Sequence, residues 1–160
     1  MRWHEGDTMT APGTGQTFQQ VVLSLTFLLL AGISTYGQQK RVIAGPKGFP
    51  YSGGIVVGNT LYIAGQEAED EDGNLKVRGI EPETRGTLEN LAKVVKAAGF
   101  ELKDVVSVTV YLADLKEFEA MNKVYREFMP DPKPTRATVQ VVRLVNDARI
   151  EISAIAVKQP

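Results

Sequence analysis

Two residues in the C-terminal quarter of the chain have types and settings suited to chemistry on a small acid. Arg136 stands in Pro134-Thr135-Arg136-Ala137-Thr138-Val139, and Glu151 in Arg149-Ile150-Glu151-Ile152-Ser153-Ala154-Ile155-Ala156-Val157. Both stretches are rich in β-branched residues and bounded by turn residues, as strands are. A carboxylate inside so apolar a strand is costly to bury unless a partner pairs with it or a reaction uses it. A guanidinium on the neighbouring strand is the evident partner. Arginine can grip a carboxylate through two parallel hydrogen bonds, and glutamate can orient or deprotonate water. Together they would seat a small carboxylic acid beside an activated water. The same two residues also read as an ion pair that merely holds a subunit interface together.

Composition narrows the chemistry further. The chain has 160 residues, 43% of them hydrophobic, with a net charge of -1, which suits one globular domain. Lysine and arginine are scattered, so no basic patch of the kind nucleic acids need is evident. There are no cysteines, which excludes disulfides, thiolate nucleophiles and thiolate metal sites but fits either redox compartment. The single histidine is His4, far from the expected folded region, so Ser-His and Cys-His catalysis and histidine zinc sites are excluded too. Asp70, Asp72, Asn74 and Glu81 have calcium-loop spacing, but Leu75 sits where that loop needs glycine. A solvated hairpin is the better reading, and no metal site is expected. Carboxylate, guanidinium, hydroxyl, amide and backbone groups remain.

The elements that must position these residues can be read from periodicity. Val42 and Ile43 open a short strand. Residues 52–57 and 60–64 read as strands joined at Gly58-Asn59, a hairpin signal. Gly53-Gly54 reads as a bend or bulge. A helix starts near Pro82, buries Leu88, Leu91, Val95 and Ala98, and stops at Gly99. Residues 105–112 alternate as a strand. Asp114 and Glu117 have capping-box spacing before a second helix carrying Phe118, Met121, Tyr125 and Phe128 on one face. Residues 135–142 and 149–157 are the last strands, expected to form an antiparallel hairpin turned at Asn146-Asp147. The order β-β-β-α-β-α-β-β predicts an α+β domain with two helices packed on one face of a single mixed sheet. The other sheet face is apolar in places, which suits burial in an oligomer.

Residues 1–37 differ in character. Val21-Val22-Leu23-Ser24-Leu25-Thr26-Phe27-Leu28-Leu29-Leu30-Ala31-Gly32-Ile33 is too short for a comfortable membrane span and suits the apolar part of a secretory signal. Thr35-Tyr36-Gly37 before Gln38 offers a cleavage site. Residues 1–37 are therefore expected to be a leader with a signal peptide, and 38–160 the mature domain, periplasmic or secreted; if the leader is not a signal, the protein is cytoplasmic. No stable membrane span is expected.

The motifs together resemble those of the Rid family, also called YjgF, RidA-like or reactive intermediate deaminases. The pieces are Gly65-Gln66 after a hydrophobic strand, Ala97-Ala98-Gly99 at a helix end, and Val110-Tyr111-Leu112-Ala113-Asp114-Leu115 with Phe118 and Asn122 beyond. Pro134-Thr135-Arg136 and the strand from Ile150 to Val157 complete the set. The resemblance implies a chorismate-mutase-like fold and a homotrimer with ligand sites at the subunit interfaces. It implies an enzyme, a hydrolase acting on C=N bonds, that converts 2-imino acids such as 2-iminopropanoate and 2-iminobutanoate to 2-keto acids and ammonia without a cofactor. By motif position Arg136 would bind the substrate carboxylate, Glu151 would handle the attacking water, and Tyr51, Asn122 and Thr138 would line the substrate pocket. Taken alone, Tyr51 is a packed aromatic beside a turn and Asn122 a solvated helix residue. Two positions depart from the usual pattern: Ala64 stands where many members have serine, and Thr138 where cysteine is common. A non-catalytic binding protein for small carboxylates is the alternative from another class. Endoribonuclease or translation-inhibitor activity, a third, fits poorly with the missing histidine and basic patch.

Overall fold

The computed structural model describes residues 39–159; the leader reading of residues 1–37 lies outside them. In chain order the elements are β1 (Lys40–Ile43), β2 (Gly54–Val57), β3 (Thr60–Gln66), α1 (Ile80–Ala97), β4 (Val105–Leu112), α2 (Phe118–Phe128), β5 (Thr135–Gln140) and β6 (Ile150–Val157). The six strands form one sheet in the order β1-β2-β3-β6-β4-β5. Every pairing is antiparallel except β4 with β5, which is parallel. Among the described residues no helix is long and apolar enough to cross a membrane.

Period-two burial sets the helix-facing side of the central strands. Ile150, Ile152, Ala154 and Ala156 of β6 and Val108, Val110 and Leu112 of β4 are buried. They meet Leu88, Leu91 and Val95 of α1 and Met121 and Tyr125 of α2 in one core. On the side facing away from the helices, Tyr62 and Ile155 stand in register and partly exposed. Beside them Ser107, Thr109 and Ser153 line a shallow depression.

Helix α1 ends as its glycine suggests. Gly99 takes a left-handed φ of 74°. The amides of Gly99 and Phe100 return to the carbonyls of Lys96 and Val95, both at 2.9 Å, closing a Schellman motif. Arg41 of β1 adds a bond from Nη2 to the Ala98 carbonyl at 2.6 Å, a cation where the helix dipole favours one. At the other end Glu83 is fully buried. One carboxylate oxygen accepts from the Gly79 amide at 2.9 Å and the other from the Arg149 amide at 2.6 Å, tying the start of α1 to the entry of β6.

Three local expectations are corrected. The last two strands are not a hairpin: β5 pairs with β4, and β6 lies between β3 and β4. The β4-α2-β5 passage is a helical crossover, which delivers a parallel strand. Asn146 and Asp147 do turn the chain, both with positive φ, yet they lead β6 into the sheet's interior. The Asp114-Glu117 capping box is also absent. Asp114 accepts from the Lys116 amide, while Glu117 is drawn off by Arg149, whose Nε reaches its two oxygens at 2.7 and 2.9 Å. Finally, strand limits move by one or two residues: β2 begins at Gly54, β3 runs on to Gln66 and β5 stops at Gln140.

Candidate functional site

The topology places Arg136 and Glu151 apart within one chain. Strand β4 intervenes between β5 and β6, which separates their backbones by roughly 10 Å. Arg136 and Thr138 are in register with the buried Val108 and Val110, so they face the helices. Glu151 alternates with the buried Ile150 and Ile152 and faces the other way. The expected direct pairing is therefore not made inside a protomer. Each residue anchors its own cleft.

The Arg136 cleft is basic. It is lined by Asn122, Tyr125, Arg126, Lys133, Pro134 and Arg136 and has a volume of about 410 Å³. Asn122 Oδ1 accepts from Arg136 Nη2 at 2.6 Å. The guanidinium lies 4.5 Å from the Tyr125 ring centroid and 5.7 Å from that of Phe118, and such faces favour a cation. These three contacts come from one helix, α2, so the helix that buries the core also aims the arginine. Lys133 Nζ donates to the Met129 carbonyl at 2.5 Å and to the Arg126 carbonyl at 3.1 Å, which fixes a second cation at the rim. Among the lining residues there is no acid, so the cleft suits a carboxylate. Thr138 follows on the same face but does not line the cleft, and its buried hydroxyl has no hydrogen-bond partner among the described residues.

The Glu151 cleft is acidic. Phe49, Tyr51, Ala64, Gly65, Glu67, Glu69, Val145 and Glu151 enclose about 310 Å³. The Glu151 carboxylate rests directly over Gly65; a Cβ there would overlap it. That contact explains a glycine at the irregular stretch where the β3–β6 register shifts between Ile63 and Gln66. Burial raises the Glu151 carboxyl above the ordinary range, and the charge of Glu69 adds to the shift. Tyr51 meets Phe49 edge to face, with centroids 5.5 Å apart. Its phenol is pushed up by burial first and then by Glu69, Glu67 and Glu151.

Of the expected site residues, the fold thus groups Arg136 with Asn122 and Tyr51 with Glu151. The sequence reading missed Glu67 and Glu69, which lie just before the residues it read as a solvated hairpin. The hairpin exists further out, where Asp70 accepts from the amides of Asp72 and Asn74. Glu67 is only 7% exposed, and its carboxyl is raised to about 8, by burial first and then by Glu69, Glu151 and Glu83. The available signal was its position, directly after Gly65-Gln66 at the end of an apolar strand. Lys133 and Tyr125 were also missed as site residues, Tyr125 because its spacing marks it as core.

Known proteins resemble this chain in sequence and fold. A family model described as Endoribonuclease L-PSP matches residues 43–158. A RutC family protein of Pyrococcus horikoshii is 48% identical over 111 residues, spanning 69% of this chain and 88% of that protein. The 2-iminobutanoate/2-iminopropanoate deaminase of Homo sapiens is 38% identical over 112 residues, spanning 69% of this chain and 82% of that enzyme. Among solved structures, RidA from the Antarctic bacterium Psychrobacter superposes with a TM-score of 0.68 at 34% identity, covering 74% of this chain and 99% of that one. The YjgF gene product of E. coli does so with a TM-score of 0.69 at 32% identity, again covering 74% and 99%. With the family model spanning nearly all of the described residues and the fold superposing on solved relatives, the chain belongs to the Endoribonuclease L-PSP family, which includes the YjgF and RidA proteins.

Proposed function

We propose that this protein hydrolyses 2-imino acids to 2-keto acids and ammonia, at sites completed by a second copy of the chain in a homotrimer. The observation that carries the reading is the pair of complementary half-sites. A basic cleft built for a carboxylate and an acidic cleft with a raised glutamate both open to the surface, and they sit on opposite sides of one sheet. One chain cannot bring them onto one small ligand. The partly exposed Tyr62 and Ile155, beside the depression on the helix-free face, offer a surface for the second copy. The name of the human relative supports the chemistry.

In this reading Arg136, steadied by Asn122 and the Tyr125 ring, holds the substrate carboxylate with two hydrogen bonds. Glu151 of the other copy takes a proton from water as the oxygen adds to the imine carbon, giving a carbinolamine. The raised carboxyl suits that role, since a base is most effective when its pKa lies near the working pH. The imine enters protonated on nitrogen, so the carbinolamine is neutral; Glu151 returns the water proton to that nitrogen and takes the hydroxyl proton as the C–N bond breaks, which releases ammonia and the ketone and passes one proton to solvent. The imine carbon is already electrophilic, so positioning supplies most of what the reaction needs. Tyr51 borders the acidic side, and Thr138 supports the strand behind Arg136. All groups involved belong to the protein, and the proposed reaction draws on no cofactor.

The test is direct. An amino-acid oxidase generates 2-iminobutanoate in place, and semicarbazide traps what the protein leaves unhydrolysed. Fast hydrolysis by the full chain, lost in Arg136→Ala and in Glu151→Gln, is expected. A folded trimer that binds 2-oxobutanoate but leaves imine decay at the buffer rate would replace the enzyme with a carboxylate-binding protein.

A further inference from the structure

Glu67 is a buried carboxyl that the reaction above does not use. Both of its oxygens lack a hydrogen-bond partner among the described residues, an expensive state for a group so enclosed. Its placement is nonetheless enforced. Asn90 of α1 donates to the carbonyls of Glu67 and Glu69, at 2.8 and 2.9 Å. Glu69 is held from the other side, where Asn146 Nδ2 donates to its Oε1 at 2.9 Å. Asn146 is one of two non-glycine residues at positive φ among the described residues, and Arg78 clamps the carbonyls of both. Two helical and loop elements therefore hold a pair of carboxyl groups beside Glu151.

Both glutamates line the Glu151 cleft, and both also line an adjoining cleft of about 410 Å³ on the α1 side. Lys47, Lys76 and Lys93 border that second cleft, but none forms an ion pair with Glu67 or Glu69. On the Glu151 side the lining holds three carboxyl groups and no lysine or arginine, so acceptor atoms concentrate there with no cation among the lining residues to answer them.

We infer that Glu67 and Glu69 form a subsite for a positively charged nitrogen group on the substrate's side chain, so that the protein accepts 2-imino acids ending in an ammonium or guanidinium group. The inference rests on the imine-hydrolase reading of the Arg136 and Glu151 clefts. A ligand guanidinium or ammonium supplies the donors that Glu67 lacks. It also favours ionisation of Glu67, whose carboxyl is otherwise pushed up by burial and its acidic neighbours, and a purely aliphatic side chain does neither. Charge-assisted bonds of this kind are the stronger ones, and an acidic wall rejects substrates bearing a second carboxylate.

Calorimetric titration of the full chain with two product analogues tests this: 2-oxobutanoate and the 2-keto acid of arginine. The guanidino acid is expected to bind at least about tenfold more tightly. Glu67→Gln and Glu69→Gln, made separately so that one misfolded variant does not decide the matter, each bring the ratio of the two affinities towards one. The imines of the two parent amino acids are expected to show the same order in kcat/KM. Equal affinities in the unaltered protein, or a preference that survives both substitutions, overturn the subsite while leaving the hydrolase reading intact. Failure of both keto acids to bind overturns the two together.

Discussion

Mixing two inactive variants reports on how the clefts are combined. Arg136→Ala removes the cation of one half-site and Glu151→Gln the carboxylate of the other. The two residues face opposite sides of the sheet with β4 between them, so the proposed site draws its arginine and its glutamate from different copies. In a random one-to-one mixture, half the arginine-bearing half-sites and half the glutamate-bearing half-sites are intact. About one quarter of the combined sites then carry both, since assembly in a closed ring pairs neighbours independently. Co-expression with two different tags, native mass spectrometry to verify mixed trimers, and the semicarbazide assay of 2-iminobutanoate measure the outcome. Recovery to about a quarter of the unaltered activity is expected, from parents that are each nearly inactive. Verified mixed trimers that stay as inactive as their parents would refute the shared site.

Other perturbations test the geometry in smaller pieces. Gly65→Ala places a methyl group where the Glu151 carboxylate lies; kcat is expected to fall roughly 100-fold, as misplacing a reacting group by an ångström does, with little change in melting temperature. Glu83→Ala strands the amides of Gly79 and Arg149 and is expected to cost roughly 2–5 kcal/mol in urea unfolding. The folded chain holds the Glu67 carboxyl up at about 8, against about 4.3 in an unfolded chain. Between those values only the folded state keeps the proton, so this group's contribution to stability is full below the lower value and falls as pH rises to the upper one. Glu67→Gln removes that slope, and its stability gain over the unaltered protein, measured by thermal unfolding, is expected to be larger near pH 8 than near pH 5. An equal difference at both would mean that Glu67 is not held protonated.

The elements were legible because each obeys a local rule. Leu88, Leu91, Val95 and Ala98 recur at helical spacing and are all buried, and Gly58-Asn59 makes the two-residue turn between Val57 and Thr60. Which strands are neighbours was less legible, because alternation fixes a strand's face and not its partner. The crossover through α2 carried the missing signal: a helical connection can return the chain parallel to the strand before it, and β5, set beside β4 in this way, is displaced from β6. The same displacement undid the expected Arg136–Glu151 pair, although both residues were picked out correctly as unusual occupants of strands. Glu67 and Glu69 escaped notice since burial of a charged residue depends on packing from distant segments. Here those segments are Asn90 of α1 and the Asn146 turn, and neither adjoins residues 67–69 in sequence.

Strand β5 ends the sheet and is hydrogen-bonded on one side only, to β4, whereas β6 has a partner on each side. Amide protons along an edge are freed by smaller openings than those of a central strand. Within the isolated chain, the arginine is mounted on an edge of the sheet, which opens more readily, and the glutamate on a central strand, which opens less. Heating will therefore loosen the grip on the acid end of a ligand before it disturbs the carboxylate that faces water. Deuterium uptake along residues 135–140 will run ahead of that along 150–157, and a ligand seated on Arg136 will slow the first far more than the second.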